Sequence, residues 1–513
     1  MSDSSSADSS PKPALLFGMV LAIATSGLVY ELGMAAVGSY LLGDTVNQFS
    51  LVIGVYLSAL GAGAYLSRFI DRRLALTFID VELATALVGG LSAPVLLAAF
   101  GSIGAWEPFF YATVAAVGIL VGLELPLLIR ALAHRLELKE LIAKALTFDY
   151  AGALLGSLSF SLFLLPELGL SRGSIASGLI NALVGLASTW ALSGIASNDA
   201  RGLVQARLRA VAVIAILLFA WFQSDRASAL SDSALQQGRI VHAEQSRYQR
   251  IVVSENAGDV RLFLNGHLQF SSRDEVRYHE ALVHPVLRLA AERKRVFIGG
   301  GGDGLAAREV LRWPDVERVT LVDLDPAMTR LFRTDPRLSS LNEGSLANPK
   351  LRVENDDAMR YLRATRERFD VIILDFPDPT NYAIGKLYSL ELYRILREHL
   401  AERGVAVVQA TSPLFARPAF WCIVKTLQAA GLATLPYHAF VPAFGEWGFV
   451  LAAREKLTPP LELGPIQARF LTPERLAALF VFPPDSAPLS VRVNRVDNQA
   501  LVAYYGAAWD RWN

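Results

Sequence analysis

The sequence predicts a two-part chain, an N-terminal α-helical multi-pass membrane domain followed by a C-terminal α/β Rossmann-like domain with a small N-terminal β-hairpin subdomain. Three observations carry this. Apolar residues make up 53% of the 513 residues and concentrate before Ser224, more than an ordinary soluble protein carries. Residues 296–304 read V-F-I-G-G-G-G-D-G, an apolar run that stops at glycines before a helical stretch at 305–311. Four successive strand ends then bring acids to one edge, at Asp303, Asp323, Asp356-Asp357-Ala358 and Asp375. In open α/β sheets that edge is where ligands bind.

The totals exclude some classes. Lys+Arg and Asp+Glu both number 48, and a neutral chain lacks the basic surface that nucleic-acid binding needs; no nucleic-acid partner is expected. The single cysteine, Cys422, rules out an internal disulfide and a cysteine-cluster metal site. No metal ligand set is assigned.

Residues 1–12 form a Ser/Asp-rich tail expected to be disordered. The membrane domain spans 13–223, with crossings expected at 14–42, 49–69, 79–100, 108–130, 147–170 and 174–196. Each approaches or exceeds the ~20 apolar residues that cross a bilayer. Glycines within them (Gly54, Gly61, Gly63, Gly152, Gly156) suit close helix packing. Glu31, Glu82, Glu124 and Asp149 fall at or near membrane depth. They either tie helices together near the interfaces or line a path for cations.

Charge sets the orientation. The first and third loops carry no Lys or Arg, whereas Arg68, Arg72 and Arg73 follow the second crossing. Arg130, Arg135, Lys139 and Lys144 follow the fourth, and Arg201, Arg207 and Arg209 the sixth. Positive loops face the cytoplasm, so the N-terminus and the end of the sixth crossing are expected inside. The weaker run 210–223 would rise only ~21 Å against a core of ~30 Å. It is expected to be interfacial or re-entrant, leaving a cytoplasmic C-terminal domain on a cell-membrane anchor.

A polar linker is expected at 224–237, the catalytic domain at 238–455, and an extension without a readable motif at 456–513. Alternation at 240–253 and 260–264 around a turn predicts the hairpin. A helix follows at 273–289, carrying Tyr278-His279-Glu280. After four strands come a helix at 390–400, a strand at 405–410, a helix at 418–430 and an antiparallel edge pair at 434–441 and 448–453.

The glycine turn lets backbone N–H groups approach a ligand, and Asp323, at the end of the second strand, suits ribose hydroxyls. Asp375-Phe376-Pro377-Asp378-Pro379 sets two carboxylates on a stiff loop beside that pocket. Such a pair can hold a cationic amine and take its proton.

With these motifs in order, residues 237–454 resemble the spermidine synthase (polyamine aminopropyltransferase) family. The markers are Tyr248-Gln249, L-N-G-H-L-Q ending at Gln269, D-E-V-R-Y-H-E at 274–280, G-G-G-D-G at 300–304, V-D-L-D at 322–325, Asp356-Asp357-Ala358 and D-F-P-D-P. The apolar front half resembles that family's membrane-embedded branch. The resemblance implies a fold of the S-adenosylmethionine-dependent transferase type and no cofactor, with decarboxylated S-adenosylmethionine as co-substrate. It implies donor contacts from Gln249, Gln269 and Ala358, with Asp323 on the ribose, Asp357 on the adenine amino group and Asp303 on the aminopropyl ammonium. On the acceptor side it implies Tyr278, His279, Asp303 and Asp378, with Asp375 as general base. The implied partners are a polyamine, a nucleoside sulfonium, the lipid bilayer and a second copy in a homodimer.

Three departures fall on the acceptor side. Asn265 stands where the family has aspartate, Thr380-Asn381-Tyr382 replaces a Gly-Pro loop, and 441–449 reads V-P-A-F-G-E-W-G-F without the usual tyrosine. A methyltransferase using S-adenosylmethionine would share the glycine turn and Asp323 but not need the carboxylate pair. A polyamine sensor or transporter would bind without turnover.

Overall fold

The computed structural model describes residues 13–42, 45–100, 106–133, 137–196, 199–235 and 238–509; the tail expected at 1–12 lies outside the described residues. The chain divides into two compact units, Met1–Ile240 and Val241–Asn513.

The first unit is a bundle of apolar helices: Pro13–Leu42 (α1), Thr45–Leu66 (α2), Leu74–Ala99 (α3), Trp106–Leu132 (α4), Leu138–Ser159 (α5), Gly169–Ala191 (α6) and Ala200–Leu235 (α7). Among the described residues, six continuous stretches are long and apolar enough to cross a membrane, one of them Leu138–Ala191. That stretch doubles back. Gly152 and Gly156 of α5 face Leu21 and Thr25, so α5 runs parallel to α1. Ser188 of α6 reaches Met19, so α6 returns antiparallel. The reversal falls after Pro166, at Gly169, whose φ of +69° favours glycine. Small residues let backbones touch: a Cβ on Gly63 would stand 2.1 Å from the Ile119 carbonyl oxygen, and one on Gly122 2.1 Å from that of Leu60.

The run 210–223, expected to be interfacial or re-entrant, is part of a longer helix of the bundle. Those residues are the middle of α7, which packs lengthwise on α3 and α6. Arg209 pairs with Asp80 at one level, Leu217 meets Gly90 and Gly178 at the next, and Ser224 accepts from Arg172 further on. Apolar residues on both sides of 210 let 200–224 reach crossing length. The helix also continues to Leu235, through the stretch expected as a polar linker.

The second unit opens on a four-stranded sheet that contains the expected hairpin as its central pair: Arg239–Gln245 (β1), Arg250–Asn256 (β2), Asp259–Leu264 (β3) and His267–Ser271 (β4), in that order. Helix Glu275–Leu289 (α8) leads to a seven-stranded sheet. Its strands are Arg295–Gly300 (β5), Arg318–Asp323 (β6), Leu351–Asn355 (β7), Phe369–Asp375 (β8), Leu400–Gln409 (β9), Ala433–Val441 (β10) and Gly445–Ala453 (β11). The order is β10-β11-β9-β8-β5-β6-β7. The pairs from β7 to β9 are parallel, and β11 and β10 add antiparallel pairs at one edge, as expected. Both faces are covered, which explains the near-continuous apolar runs. Val296, Ile298, Val371 and Ile373 pack on one side with α8 and Leu305–Leu311 (α9). Phe297, Ile372 and Leu374 pack on the other with Ala358–Ala364 (α10), Leu390–His399 (α11), Arg417–Ala429 (α12) and Ala500–Trp509 (α13).

Candidate active site

The parallel strands grow outward in both directions from the β5–β8 pair, the switch point at which open α/β sheets bind ligands. There Gly300 is the register partner of Asp375. A Cβ on Gly300 would stand 2.2 Å from the Asp375 carbonyl oxygen, and one on Gly302 2.6 Å from the Asp323 carboxylate. Gly300, Gly301 and Gly304 all have positive φ. The glycine turn is therefore required by its own neighbours as well as by any ligand.

Four carboxyl groups converge at this point. Asp323 ends β6 and accepts from the backbone N–H of Gly302 at 3.0 Å and of Asp325 at 2.9 Å. Burial, offset in part by those bonds, pushes it up to about 6. Asp303 accepts from Leu305 N at 2.9 Å, and burial raises it as well. Asp375 ends β8 and accepts a 2.5 Å hydrogen bond from the Tyr278 hydroxyl. Burial, and then the neighbouring Asp303, outweigh that bond and His279 and push Asp375 up to about 6. Asp378 accepts from Gln409 Nε2 at 3.0 Å, Thr411 Oγ1 at 3.1 Å and the Tyr505 hydroxyl at 2.9 Å. Its burial still lifts it to about 6. The stiff Phe376-Pro377 link is pinned by Tyr388, whose hydroxyl lies 3.0 Å from both carbonyl oxygens.

His279 is held from behind. Its Nδ1 lies 2.8 Å from the Glu275 carboxylate and 2.8 Å from the Glu275 carbonyl, both acceptors, so Nδ1 carries a proton. Arg308 grips Glu275 with two 2.9 Å bonds. Burial alone would lower the imidazole, but Glu275 overrides it and raises it. The ring is thereby fixed in orientation beside Asp303 and Asp375, and its charged form is favoured.

The remaining candidates are placed less uniformly. Asp357 caps α10 through Arg360 N at 3.0 Å and accepts from Lys386 Nζ at 2.7 Å. Burial works against it, yet Lys386 and the cap hold it below the usual carboxylate range. Ala358, the first residue of that helix, is buried. Gln249 donates to Asp325 at 3.1 Å, beside Ser246 at 2.6 Å, which ties the β1–β2 turn to the loop after β6. Gln269 gives its amide to the carbonyl of His267, two residues away, at 3.1 Å. Asn265 is explained by its turn: it is exposed, has φ +50°, and its Oδ1 accepts from Arg250 N at 2.9 Å. Phe444 lies 6.4 Å from the Tyr278 ring and 5.0 Å from that of Trp447, centroid to centroid.

Several partners were not foreseen. Lys386, Gln409, Thr411 and Tyr505 have no motif signal, although Gln409 and Thr411 flank the end of an expected strand. Tyr505 belongs to an extension that seemed featureless. That extension also supplies the backbone N–H groups of Arg469, Phe470 and Leu471 to Glu280. Glu280, His284 and Glu309 lie close enough together to suggest metal ligands. Glu309 is neutralised instead by Arg308 and Arg312, and Glu280 by those N–H groups.

Residues 275–461 match the model of the spermine/spermidine synthase domain. The chain is 45% identical to a polyamine aminopropyltransferase of Leptospira interrogans, over 97% of this chain and 99% of that one. It is 46% identical to polyamine aminopropyltransferase 1 of Ralstonia nicotianae, over 98% and 97%. A solved spermidine synthase in complex with the transition state analogue AdoDATO is 27% identical over 48% of this chain and 86% of its own, with a TM-score of 0.45.

Proposed function

The chain belongs to the polyamine aminopropyltransferase family, and on that premise we propose that it moves the aminopropyl group of decarboxylated S-adenosylmethionine onto an amine. Putrescine is the first choice of acceptor, giving spermidine and 5'-methylthioadenosine. The observation that carries the reading is the convergence of Asp303, Asp323, Asp375 and Asp378 on the switch point of the sheet.

The chemistry follows from charge. A sulfonium makes the adjacent aminopropyl carbon electrophilic and leaves as a neutral thioether. The amine must lose a proton to become a nucleophile. Asp375, raised toward neutrality by burial, is suited to accept it, and Tyr278 fixes which way its carboxylate points. Asp323 receives the ribose, Asp357 and Ala358 the adenine side, and Asp303 the aminopropyl ammonium. Gln249 and Gln269 close the donor side, Gln249 through its hold on Asp325. His279 and Asp378 position the acceptor, and holding both substrates in line supplies much of the acceleration. Phe444 and Trp447 give the acceptor side an aromatic rim, which favours a broad choice of amines.

The same reading anchors the enzyme in the cell membrane with its catalytic unit in the cytoplasm, where a nucleoside donor is made. The helix count is the counter-argument. If α7 crosses while the arginine-rich ends stay inside, the catalytic unit lies outside. The test of function is donor choice: the decarboxylated sulfonium should be consumed faster than the donor with its carboxylate intact, and the reverse preference would overturn the proposal.

A further inference from the structure

The first unit contains polar groups that aminopropyl transfer does not use. Glu82 on α3 and Glu124 on α4 are 0% and 1% exposed. Among the described residues, none gives a hydrogen bond to any of their four carboxyl oxygens. The two lie within electrostatic reach of each other and of Tyr30 on α1, whose ring packs over Gly89 of α3. The Tyr30 hydroxyl, the Ser26 hydroxyl one turn earlier and both ends of the Asn181 amide on α6 are equally buried and equally unpartnered. Asn181 precedes by one turn Gly185, which packs on the Cβ of Glu82.

Among the described residues no cation is paired with either carboxyl group. Helices α1, α2 and α3 contain no Lys, Arg or His, and those of α4, α5, α6 and α7 sit toward the helix ends, at Arg130, Lys139, Lys144, Arg172, Arg201, Arg207, Arg209 and Arg226. The other titratable groups facing the pair are Glu31 of α1 and Tyr56 of α2, with Asp149 of α5. Tyr56 gives its hydroxyl to the Gly27 carbonyl at 2.9 Å. Thr85 stands beside Glu124 but donates its only hydroxyl proton to the Val81 carbonyl at 3.0 Å. A bond between Thr85 and Glu124 therefore needs the carboxyl as donor. Two unpaired carboxylates in so apolar a place would be costly, and the neutral carboxylic acids far less so.

We propose that Glu82 and Glu124, with Ser26 and Tyr30 on α1 and Asn181 on α6, form a cation-exchange site in the membrane unit, holding protons in this packing and releasing them when an alkylammonium ion binds. The exchange balances: each carboxyl gives up one proton to solvent and gains one ammonium group as its counter-charge. The oxygens of Glu82, Glu124, Asn181, Tyr30 and Ser26 supply the acceptors that the N–H groups of an ammonium require. The choice of an alkyl amine over an inorganic cation rests on the proposed function of the catalytic unit.

The test uses the full-length chain in lipid nanodiscs, radiolabelled putrescine in equilibrium dialysis, and a pH-indicator dye. Wild type should bind two equivalents per chain and release protons. The double variant Glu82→Gln/Glu124→Gln should bind one, lose that proton release and keep its aminopropyl-transfer rate. A putrescine count that is the same in wild type and in the double variant overturns the proposal, as does sodium abolishing the glutamate-dependent equivalent at concentrations equal to that of putrescine. Should the variant not fold, wild type alone still decides: the second equivalent must disappear as the pH is lowered, and a count independent of pH overturns the site. A chain that transfers no aminopropyl group but shows the glutamate-dependent equivalent removes the proposed function and not this site.

Discussion

Tyr278 and Asp375, 97 residues apart in sequence, are joined by a 2.5 Å hydrogen bond from phenol to carboxylate. The bond stabilises the ionised form of Asp375 against the burial that raises it to about 6. Replacing Tyr278 with phenylalanine removes that support. The acidic limb of kcat/KM should then move to higher pH, with a loss of about tenfold at neutral pH. A pH–rate profile checks this, since a merely structural role for Tyr278 would lower the whole curve without moving the limb.

Asp375→Asn keeps the shape of the side chain and removes its basicity. Turnover should fall by about 10²–10⁴ while donor binding is retained. Single-turnover kinetics beside donor-binding calorimetry separate the two. Unchanged turnover in folded protein would move the base to Asp378.

Asp323, Asp375 and Asp378 are each raised from 3.8 to about 6. In the free enzyme kcat/KM should therefore fall as pH drops below about 6. Stability runs the other way. Between about 4 and 6 the folded chain binds more protons at these sites than the unfolded one, so their contribution is fully present at low pH and is lost as pH rises through 6. Chemical denaturation across that window measures it, once the opposite trend of depressed groups such as Asp357 and Glu309 is allowed for.

Tyr505 supplies one of three donors to Asp378 from the C-terminal extension. Tyr505→Phe should raise KM for the amine several-fold and leave donor KM nearly unchanged. Equal effects on both substrates would assign Tyr505 to packing alone.

The side of the membrane is read from reporter fusions at Ser231 and Asn513. A cytoplasmic catalytic unit predicts activity of a reporter that works only inside the cell at both positions. Activity of a periplasm-only reporter at both means that α7 crosses and the catalytic unit lies outside.

Much of this was legible from local pattern. Glycines at a strand end and acids at successive strand ends mark the switch point because both needs are set within a few residues. The apolar helices declared themselves by length. What escaped depends on distant chain. Tyr505 meets Asp378 only because Ala500–Trp509 packs on the face that also carries Arg417–Ala429, which no local signal encodes. The fourth strand of the small sheet was missed because His267–Ser271 is too short to show clear alternation. The apolar run 210–223 alone is too short to cross, and the sequence does not show that Arg207 and Arg209 lie inside a longer helix. Arg209 is instead paired with Asp80 within the bundle. Asn265 stands where the family has aspartate, and its φ of +50° adds a local role in the turn that the family position does not reveal.

The central claim is the group transferred, and product analysis of the purified full-length chain tests it most directly. With decarboxylated S-adenosylmethionine and putrescine supplied together, the account predicts equal amounts of 5'-methylthioadenosine and an amine extended by one aminopropyl group. A methylated product, or no thioether nucleoside from protein that still binds both substrates, would contradict it.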